Sequence, residues 1–156
     1  MKQLVWVGSE KWKNINMYKL SKRSISNLEG VHPDMVAVVE RAIQISPIDF
    51  GVSEGVRTVE RQRQLVAEGK STTMNSKHIP VHFKPDVYLP EGEYGAAVDL
   101  FVLIDGKVTW EHKHFRKVIQ AVFTAAIELG VQLEAGALWR DFLDSPHIQL
   151  NMKYYE

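Results

Sequence analysis

The chain contains 156 residues, of which 45% are hydrophobic and 24% charged, a composition typical of one globular domain. Nineteen Lys and Arg residues balance nineteen Asp and Glu residues, so the formal net charge is zero. Proteins that bind nucleic acid or anionic membranes usually carry a basic excess, so we expect neither partner. The absence of cysteine excludes disulfides, thiol nucleophiles and cysteine-ligated metals. Any metal must be held by histidine and carboxylate.

The N-terminal segment shows no sign of export or membrane insertion. Its apolar run, Leu4 to Val7, is too short for a signal peptide. No uninterrupted apolar stretch approaches the roughly 20 residues of a membrane span. We therefore expect a protein that is made in the cytosol, does not insert stably into a membrane and acts as a monomer.

The predicted elements mix helices and strands along the whole chain. The first twenty residues favour a short extra strand. Start signals and apolar residues at helical spacing predict helices over 33–43, 58–68 and 115–129. Apolar or alternating runs predict strands over 49–55, 95–104, 131–134 and 147–150, and the polar, proline-containing segment 71–94 reads as a long loop. This order predicts an α+β fold, a single small domain with helices packed on a mostly antiparallel sheet.

Three residues distant in the sequence are candidates for a metal site. His78 ends the segment of helix plus loop, and His147 opens a strand directly after a proline turn. Asp99 lies inside an apolar run, where an ionised carboxylate is costly unless it is paired or metal-bound. Two histidines and one carboxylate around an open fourth position form a known catalytic zinc arrangement. The alternative is that Asp99 is buried in a salt bridge with an arginine.

Asp144 is the candidate general base. It precedes His147 by three residues, and the turn through Pro146 could place its carboxylate beside the reacting water. The carboxylate would then accept a proton and later return it to the leaving amine. The alternative is an aspartate that only helps to form the turn.

A second motif suggests a different enzyme class. Residues 51–55 match the Gly-x-Ser-x-Gly pattern, and Ser53, Asp99 and His147 occur in the order of the α/β-hydrolase triad. That motif requires a helix immediately after the serine, whereas Gly55-Val56-Arg57 intervene here. We therefore reject this interpretation.

Several separated segments carry a family resemblance. They are residues 21–34, 54–62, 73–78, 95–99 and 144–150. Together, over about residues 20 to 153, they resemble the phage endolysins of the zinc D-alanyl-D-alanine carboxypeptidase superfamily, specifically the L-alanyl-D-glutamate endopeptidases. The resemblance implies a fold like that of D,D-peptidases and Hedgehog domains. It also implies an N-terminal extension over residues 1–19 and a zinc peptidase domain over 20–156.

The resemblance also implies roles for individual residues. The implied zinc ligands are His78, Asp99 and His147. Asp144 would be the catalytic acid and base, and Arg57 would face the scissile carbonyl, where a fixed cation can stabilise an oxyanion. Ser76 and Gln149 would contact the substrate or support the zinc ligands.

Two segments depart from the family pattern. Residues 79–94 are inserted between His78 and the Gly95–Asp99 motif, which predicts a mobile lid or a loop that selects substrates. Before the last motif, Glu134, Gly136 and Trp139 match the family, whereas Ala135, Ala137 and Leu138 replace residues often found there. We therefore expect one wall of the cleft to differ.

The sequence thus predicts a zinc metallopeptidase, a phage endolysin that cleaves the L-Ala–D-Glu bond of peptidoglycan stem peptides. It would accumulate in the host cytoplasm until a holin-type membrane lesion admits it to the cell wall. A D,D-carboxypeptidase or dipeptidase acting on D-Ala-D-Ala is one alternative. Others are a non-catalytic wall-binding module with a structural metal and a non-haem iron oxygenase, which also uses two histidines and one carboxylate.

Overall fold

The computed structural model describes residues 2–7, 10–87, 89–138, 144 and 146–155. The helices in these ranges are α1 (Lys22–Asn27), α2 (Pro33–Ile45), α3 (Val59–Ala67) and α4 (His112–Leu129). The strands are β1 (Lys2–Val7), β2 (Glu10–Asn16), β3 (Asp49–Glu54), β4 (Val81–Phe83), β5 (Gly92–Tyr94), β6 (Ala97–Ile104), β7 (Lys107–Thr109), β8 (Leu133–Ala135) and β9 (His147–Leu150).

One antiparallel sheet organises the domain. Its strands lie in the order β3-β6-β9-β8, and β7 pairs with the end of β6. A turn at Asp105-Gly106 joins β6 to β7, and both residues have positive φ, as hairpin turns of this kind require. The fold is therefore α+β with a mostly antiparallel sheet, as the sequence predicts. Strands β6 and β9 lie at its centre.

Helices α2 and α4 pack against each other and contribute much of the core. Their apolar faces bury Met35, Val39, Phe115 and Val122 completely. Each large apolar side chain contributes roughly 1.5–3 kcal/mol when it is fully buried. The same core cluster contains sheet residues such as Val98 and Leu100, and α4 contacts β6 and β8, so the helix pair packs against the sheet.

Local sequence signals fix the ends of the predicted helices. The backbone N–H of Asp34 donates to His32 Nδ1 at the start of α2, and that of Arg61 donates to Thr58 Oγ1 at the start of α3. Gly130, at φ 70°, ends α4 in the left-handed conformation. Helix α4 begins at His112, three residues before the predicted start, because its polar first turn interrupts the apolar pattern.

Three parts of the chain differ from the sequence prediction. Helix α1 is not predicted, because it has six residues and buries only Ser24. The segment 71–94, predicted as a loop, contains the antiparallel hairpin β4–β5. Strands β1 and β2 pair with each other in a separate two-stranded sheet, where the sequence predicts one short strand.

The inserted hairpin is anchored to the domain by aromatic contacts. Phe83 is 2% exposed, and its ring centroid lies 4.3 Å from that of His32, 6.0 Å from that of Tyr94 and 5.5 Å from that of Tyr155. A side chain held on several sides in this way fixes the strand that carries it. The hairpin is therefore part of the packed structure.

None of the described helices has the length and apolarity that crossing a membrane would require.

Candidate active site

The central strands bring two of the candidate ligands together. Asp99 on β6 and His147 on β9 are direct register partners. His78 reaches them from the chain before β4, which backbone hydrogen bonds hold in place. The N–H of Arg57 donates to the carbonyl of His78, and the N–H of Ala96 donates to that of Lys77. The sheet and these two bonds thus set the position of all three side chains.

Three side-chain atoms converge at this point. His78 Nε2 lies 3.2 Å from Asp99 Oδ1 and 3.3 Å from His147 Nδ1, and His147 Nδ1 lies 3.3 Å from Asp99 Oδ1. Both histidines are buried, and Asp99 is partly buried. These three residues form the one group of potential metal ligands found among the described residues. They can hold a metal ion.

The outer nitrogen of each imidazole is hydrogen-bonded away from this centre. His78 Nδ1 lies 2.7 Å from the carbonyl oxygen of Gly55, which can only accept, so His78 donates there. His147 Nε2 lies 2.8 Å from Gln149 Oε1. Both hydrogen bonds leave a nitrogen lone pair facing the carboxylate of Asp99. Three acceptor atoms at such short range favour a cation between them.

The electrostatics of the cluster agree with this geometry. Burial by itself would raise the pKa of Asp99, but the adjacent imidazoles of His147 and His78 outweigh burial and hold that pKa well below its usual range. For His147, burial would lower the pKa, but the adjacent, negatively charged carboxylate of Asp99 raises it. Asp99 is therefore an ionised carboxylate.

Arg57 is held by an almost complete set of hydrogen bonds. Its Nε and Nη2 donate to the two carboxylate oxygens of Glu54 at 2.9 and 2.7 Å, and its Nη1 donates to Gln62 Oε1 at 2.8 Å. Two further contacts are long, 3.4 Å from Nη2 to Asp99 Oδ2 and 3.5 Å from Nη1 to Ser76 Oγ. The guanidinium is therefore fixed, with its two weakest contacts directed toward the site.

The alternative interpretation of Asp99 as the partner of an arginine is thus part of the observed geometry. Oδ1 of Asp99 faces the two histidines, and Oδ2 faces Arg57. Each carboxylate oxygen has its own partners, so the arginine and a metal ion can both interact with this residue.

Gln62 connects Arg57 to the wall of the cleft. It is completely buried in α3, and its Nε2 donates to Ser71 Oγ at 2.8 Å and to the carbonyl of Thr73 at 2.6 Å. One buried amide therefore fixes both the guanidinium and the loop that follows α3. Sequence reasoning missed this residue, because a glutamine on a polar helix carries no signal of its partners.

Asp144 lies beside the cluster in the turn before β9. Its backbone N–H donates to the carbonyl of Gly136, and its carbonyl accepts from the N–H of His147. A Cβ at Gly136 would collide with the carbonyl of Asp144, so this close approach requires glycine. Burial, followed by the negative charge of Asp99, raises the pKa of the Asp144 carboxyl.

The candidate residues share one open cavity of about 680 Å³. Its lining includes every residue to which the resemblance assigns a role in zinc binding, catalysis or substrate contact, namely Arg57, Ser76, His78, Asp99, Asp144, His147 and Gln149. The exposed side chain of Trp110 and the loop after α3 also line it. None of the described residues of the inserted hairpin does. The structure therefore does not support the expectation that residues 79–94 form a lid over the site.

The rejected serine motif has no triad geometry. Ser53 lies in β3, and its hydroxyl donates to the backbone carbonyl of Asp99 at 3.1 Å. The next helix begins six residues later, at Val59. His147 uses its two ring nitrogens for Gln149 and the Asp99 cluster instead. Trp139, which matches the family pattern, lies outside the described residues.

Comparisons with known proteins agree on one group. A family model described as phage L-alanyl-D-glutamate peptidase matches residues 16–151. The L-alanyl-D-glutamate peptidase of Escherichia phage T5 is 34% identical over 126 residues, which cover 78% of this chain and 82% of that protein. The enzyme of the same name from Listeria phage A118 is 31% identical over 137 residues, 85% of this chain but 42% of that protein.

A solved structure is also similar. The crystal structure of the Serratia marcescens L-Ala D-Glu endopeptidase ChiX superposes with a TM-score of 0.76 at 37% sequence identity. The match covers 90% of this chain and 96% of ChiX. The similarity therefore extends over nearly all of both proteins.

Proposed function

Because the chain belongs to the phage L-alanyl-D-glutamate peptidase family, we propose that it is a zinc peptidase that hydrolyses the L-Ala–D-Glu bond of peptidoglycan stem peptides. The observation that carries this proposal is the convergence of His78, Asp99 and His147 in a cavity that also contains Asp144. Relatives over most of the chain bear that activity in their names.

The donor set supports zinc as the metal. In a tetrahedral site with bonds of about 2.0 Å, neighbouring donor atoms are about 3.3 Å apart. The distances among His78 Nε2, Asp99 Oδ1 and His147 Nδ1 are 3.2, 3.3 and 3.3 Å. A zinc ion supplies Lewis acidity, which polarises the scissile carbonyl and makes water a stronger acid.

Asp144 acts as the general base and then as the general acid. Its carboxylate lines the cavity next to His147. The pKa of this carboxyl is raised toward neutral pH relative to that of an ordinary aspartate, which suits a group that must both accept and donate a proton. It takes a proton from the attacking water as the new C–O bond forms. It returns that proton to the leaving D-Glu nitrogen as the C–N bond breaks.

Arg57 has a positioning and an electrostatic role. Its strong hydrogen bonds to Glu54 and Gln62 keep the guanidinium in one orientation. Its long contacts to Asp99 and Ser76 can give way to a substrate oxygen with little loss. A fixed cation with two such N–H groups stabilises the oxyanion that develops on the scissile carbonyl.

The domain assignment completes the proposal. Residues 20–156 form the peptidase domain, and residues 1–19 form an extension that contains the separate β1–β2 sheet. The enzyme works as a monomer and reaches the wall from the host cytoplasm after membrane permeabilisation.

Mass spectrometry of digested peptidoglycan tests the substrate. Purified sacculi treated with the zinc-loaded protein should release stem peptides that begin with D-Glu, leaving L-Ala on the glycan. An Asp144→Asn variant serves as the control for contaminating hydrolases. Release of free D-Ala with no new D-Glu amino terminus would indicate a D,D-carboxypeptidase and reject the proposal.

A further inference from the structure

Three side chains form a hydrogen-bonded series that runs across strands β8 and β9 and ends at His147. Glu134 on β8 and Gln149 on β9 are direct register partners, and Gln149 Nε2 donates to Glu134 Oε2 at 2.8 Å. Gln149 Oε1 in turn lies 2.8 Å from His147 Nε2. All three residues are buried or partly buried. The hydrogen-bonded series therefore connects the edge of the sheet to the proposed metal site.

Glu134, at the outer end of this hydrogen-bonded series, fixes which groups donate and which accept. A carboxylate can only accept, so Glu134 requires the amide nitrogen of Gln149 to point toward it. The amide oxygen must then face His147. Because the amide oxygen of Gln149 can only accept a hydrogen bond, Nε2 of the His147 imidazole must carry the hydrogen.

The opposite orientation would disable the cluster. If the amide of Gln149 turned over, its NH2 would donate to His147 Nε2, and the hydrogen of the neutral ring would move to Nδ1. That hydrogen would point at Asp99 Oδ1 and His78 Nε2, which lie 3.3 Å from Nδ1. The position of a metal ion would be blocked.

His78 does not depend on a movable group. Its Nδ1 donates to the backbone carbonyl of Gly55, an acceptor that cannot turn over. His147 has a side-chain amide in the corresponding place. Only this second ligand therefore needs an outer residue to define its tautomer.

We infer that Glu134 is a positioning residue that orients Gln149 and thereby presents the Nδ1 lone pair of His147 to the metal. The inference rests on the proposed metal site and adds to it a residue that touches neither metal nor substrate. Hydrogen-bond partners of ligating histidines commonly act in this way, and their loss costs about 10–100-fold in metal affinity.

The sharpest test reverses the direction of donation in the hydrogen-bonded series. A lysine ammonium can only donate, so Glu134→Lys should turn the amide of Gln149 over and weaken zinc binding by about 100-fold, the upper end of such effects. Glu134→Gln permits both orientations and should cost about 10-fold. In the double variant Glu134→Lys with Gln149→Glu, the new carboxylate accepts from both the introduced ammonium and His147, so zinc affinity should recover.

Zinc affinity is measured by competition with a chelator, starting from the zinc-loaded protein. The absorption spectrum of the cobalt(II)-substituted protein reports the coordination directly. Gln132→Lys is the charge control, because it adds one positive charge at an exposed position two residues away, the same net change as Glu134→Gln. It should leave zinc affinity unchanged. Melting of the metal-free proteins verifies that each variant folds.

The outcomes separate this inference from the proposed function. Affinities that fall in the order wild type, Glu134→Gln, Glu134→Lys and recover in the double variant support it. Wild-type affinity in the folded Glu134→Gln and Glu134→Lys proteins overturns it, and so does a folded double variant that fails to recover. If Glu134→Lys does not fold, Glu134→Gln and the double variant give the same decision. A wild-type protein that binds no zinc contradicts the proposed function itself.

Discussion

Asp99 and His147 lie directly opposite each other on adjacent antiparallel strands, and their facing atoms Oδ1 and Nδ1 are 3.3 Å apart. Opposite residues on neighbouring strands project to the same face of the sheet. A slip of one residue would send His147 to the other face. The register of β6 against β9 therefore determines whether the cluster exists at all.

Metal removal should affect stability as well as activity. A ligand that binds only the folded state adds about 4 kcal/mol to the free energy of unfolding at a concentration of 1,000 times its Kd. We expect zinc to raise the melting temperature of the stripped protein and to restore hydrolysis after chelation. His78→Ala should show no zinc-dependent shift. A melting temperature of the wild type that zinc does not change would contradict the site.

Asp144→Asn should abolish proton transfer and leave metal binding intact. The amide cannot accept a proton from water, so kcat should fall about 10²–10⁴-fold, the usual contribution of a general base. Zinc affinity, measured by chelator competition, should stay near that of the wild type. Asp105→Asn is the matched control, because Asp105 lies in the β6–β7 turn at φ 50°, a conformation that asparagine also adopts. Wild-type kcat in Asp144→Asn would remove Asp144 from the mechanism.

Arg57→Lys should lower both activity and stability. The ammonium keeps the charge but cannot reach Glu54, Gln62 and Asp99 together. We expect a decrease of about 100-fold in kcat, as for loss of an oxyanion donor, and about 1–3 kcal/mol in the free energy of unfolding from unpaired buried groups. Arg61→Lys, on the exposed face of α3, should change neither quantity. Equal kcat in the two variants would show that Arg57 serves stability alone.

The sequence predicts those parts of the structure that local signals determine. Proline and capping residues mark the starts of α2 and α3, and Gly69 and Gly130, both at φ 70°, follow the ends of α3 and α4. Asp99 is recognisable because an acid inside an apolar run is costly without a partner. The cluster of His78, Asp99 and His147 can be anticipated from such signals together with the family resemblance.

The remaining features depend on contacts that a linear pattern does not contain. In the sequence His32 is only a residue before a helix, yet it is 1% exposed among the rings of Phe83, Tyr94 and Tyr155. Strands of three residues, such as β4 and β5, are too short for a periodic signal. The proton order from Glu134 to His147 likewise exists only once β8 and β9 are paired.

His32 should make the protein less stable in mild acid. Burial lowers the pKa of His32, although the negative charges of Asp34 and Asp86 act in the opposite direction. The ring of Tyr155 also packs against the imidazole. As the pH falls below about 6.5, the ordinary pKa of histidine, residue 32 therefore becomes protonated in the unfolded chain before it does so in the folded protein. Stability contributed by neutral His32 should decline as pH falls below that value.

Denaturant unfolding between pH 7 and pH 5 measures this effect, with both limits chosen around the pKa of about 6.5 for free histidine. His32→Asn, which keeps a residue suited to helix capping, should show a smaller decline than the wild type. His82→Asn is the control, because His82 is exposed on the inserted hairpin. Identical slopes for the wild type and His32→Asn would contradict the assignment.

The inserted hairpin should affect stability and not turnover. Phe83→Ala removes a fully packed ring, which typically costs about 3–5 kcal/mol. The hairpin's described residues do not line the cavity, so kcat/KM on a soluble stem peptide should remain unchanged below the melting temperature. Val87→Ala, at an 88% exposed position, should change neither. A fall in kcat/KM for folded Phe83→Ala would restore the lid interpretation.

The inserted segment leaves the domain and returns to it at almost the same place. The carbonyl of Lys77 accepts from the N–H of Ala96, and the carbonyl of His78 accepts from the N–H of Arg57, so backbone bonds brace both sides of the insertion. A loop whose ends meet can be exchanged with little entropic penalty. This position is therefore a natural place to graft a foreign peptide or a cell-targeting sequence, provided that an aromatic residue still fills the space beside His32.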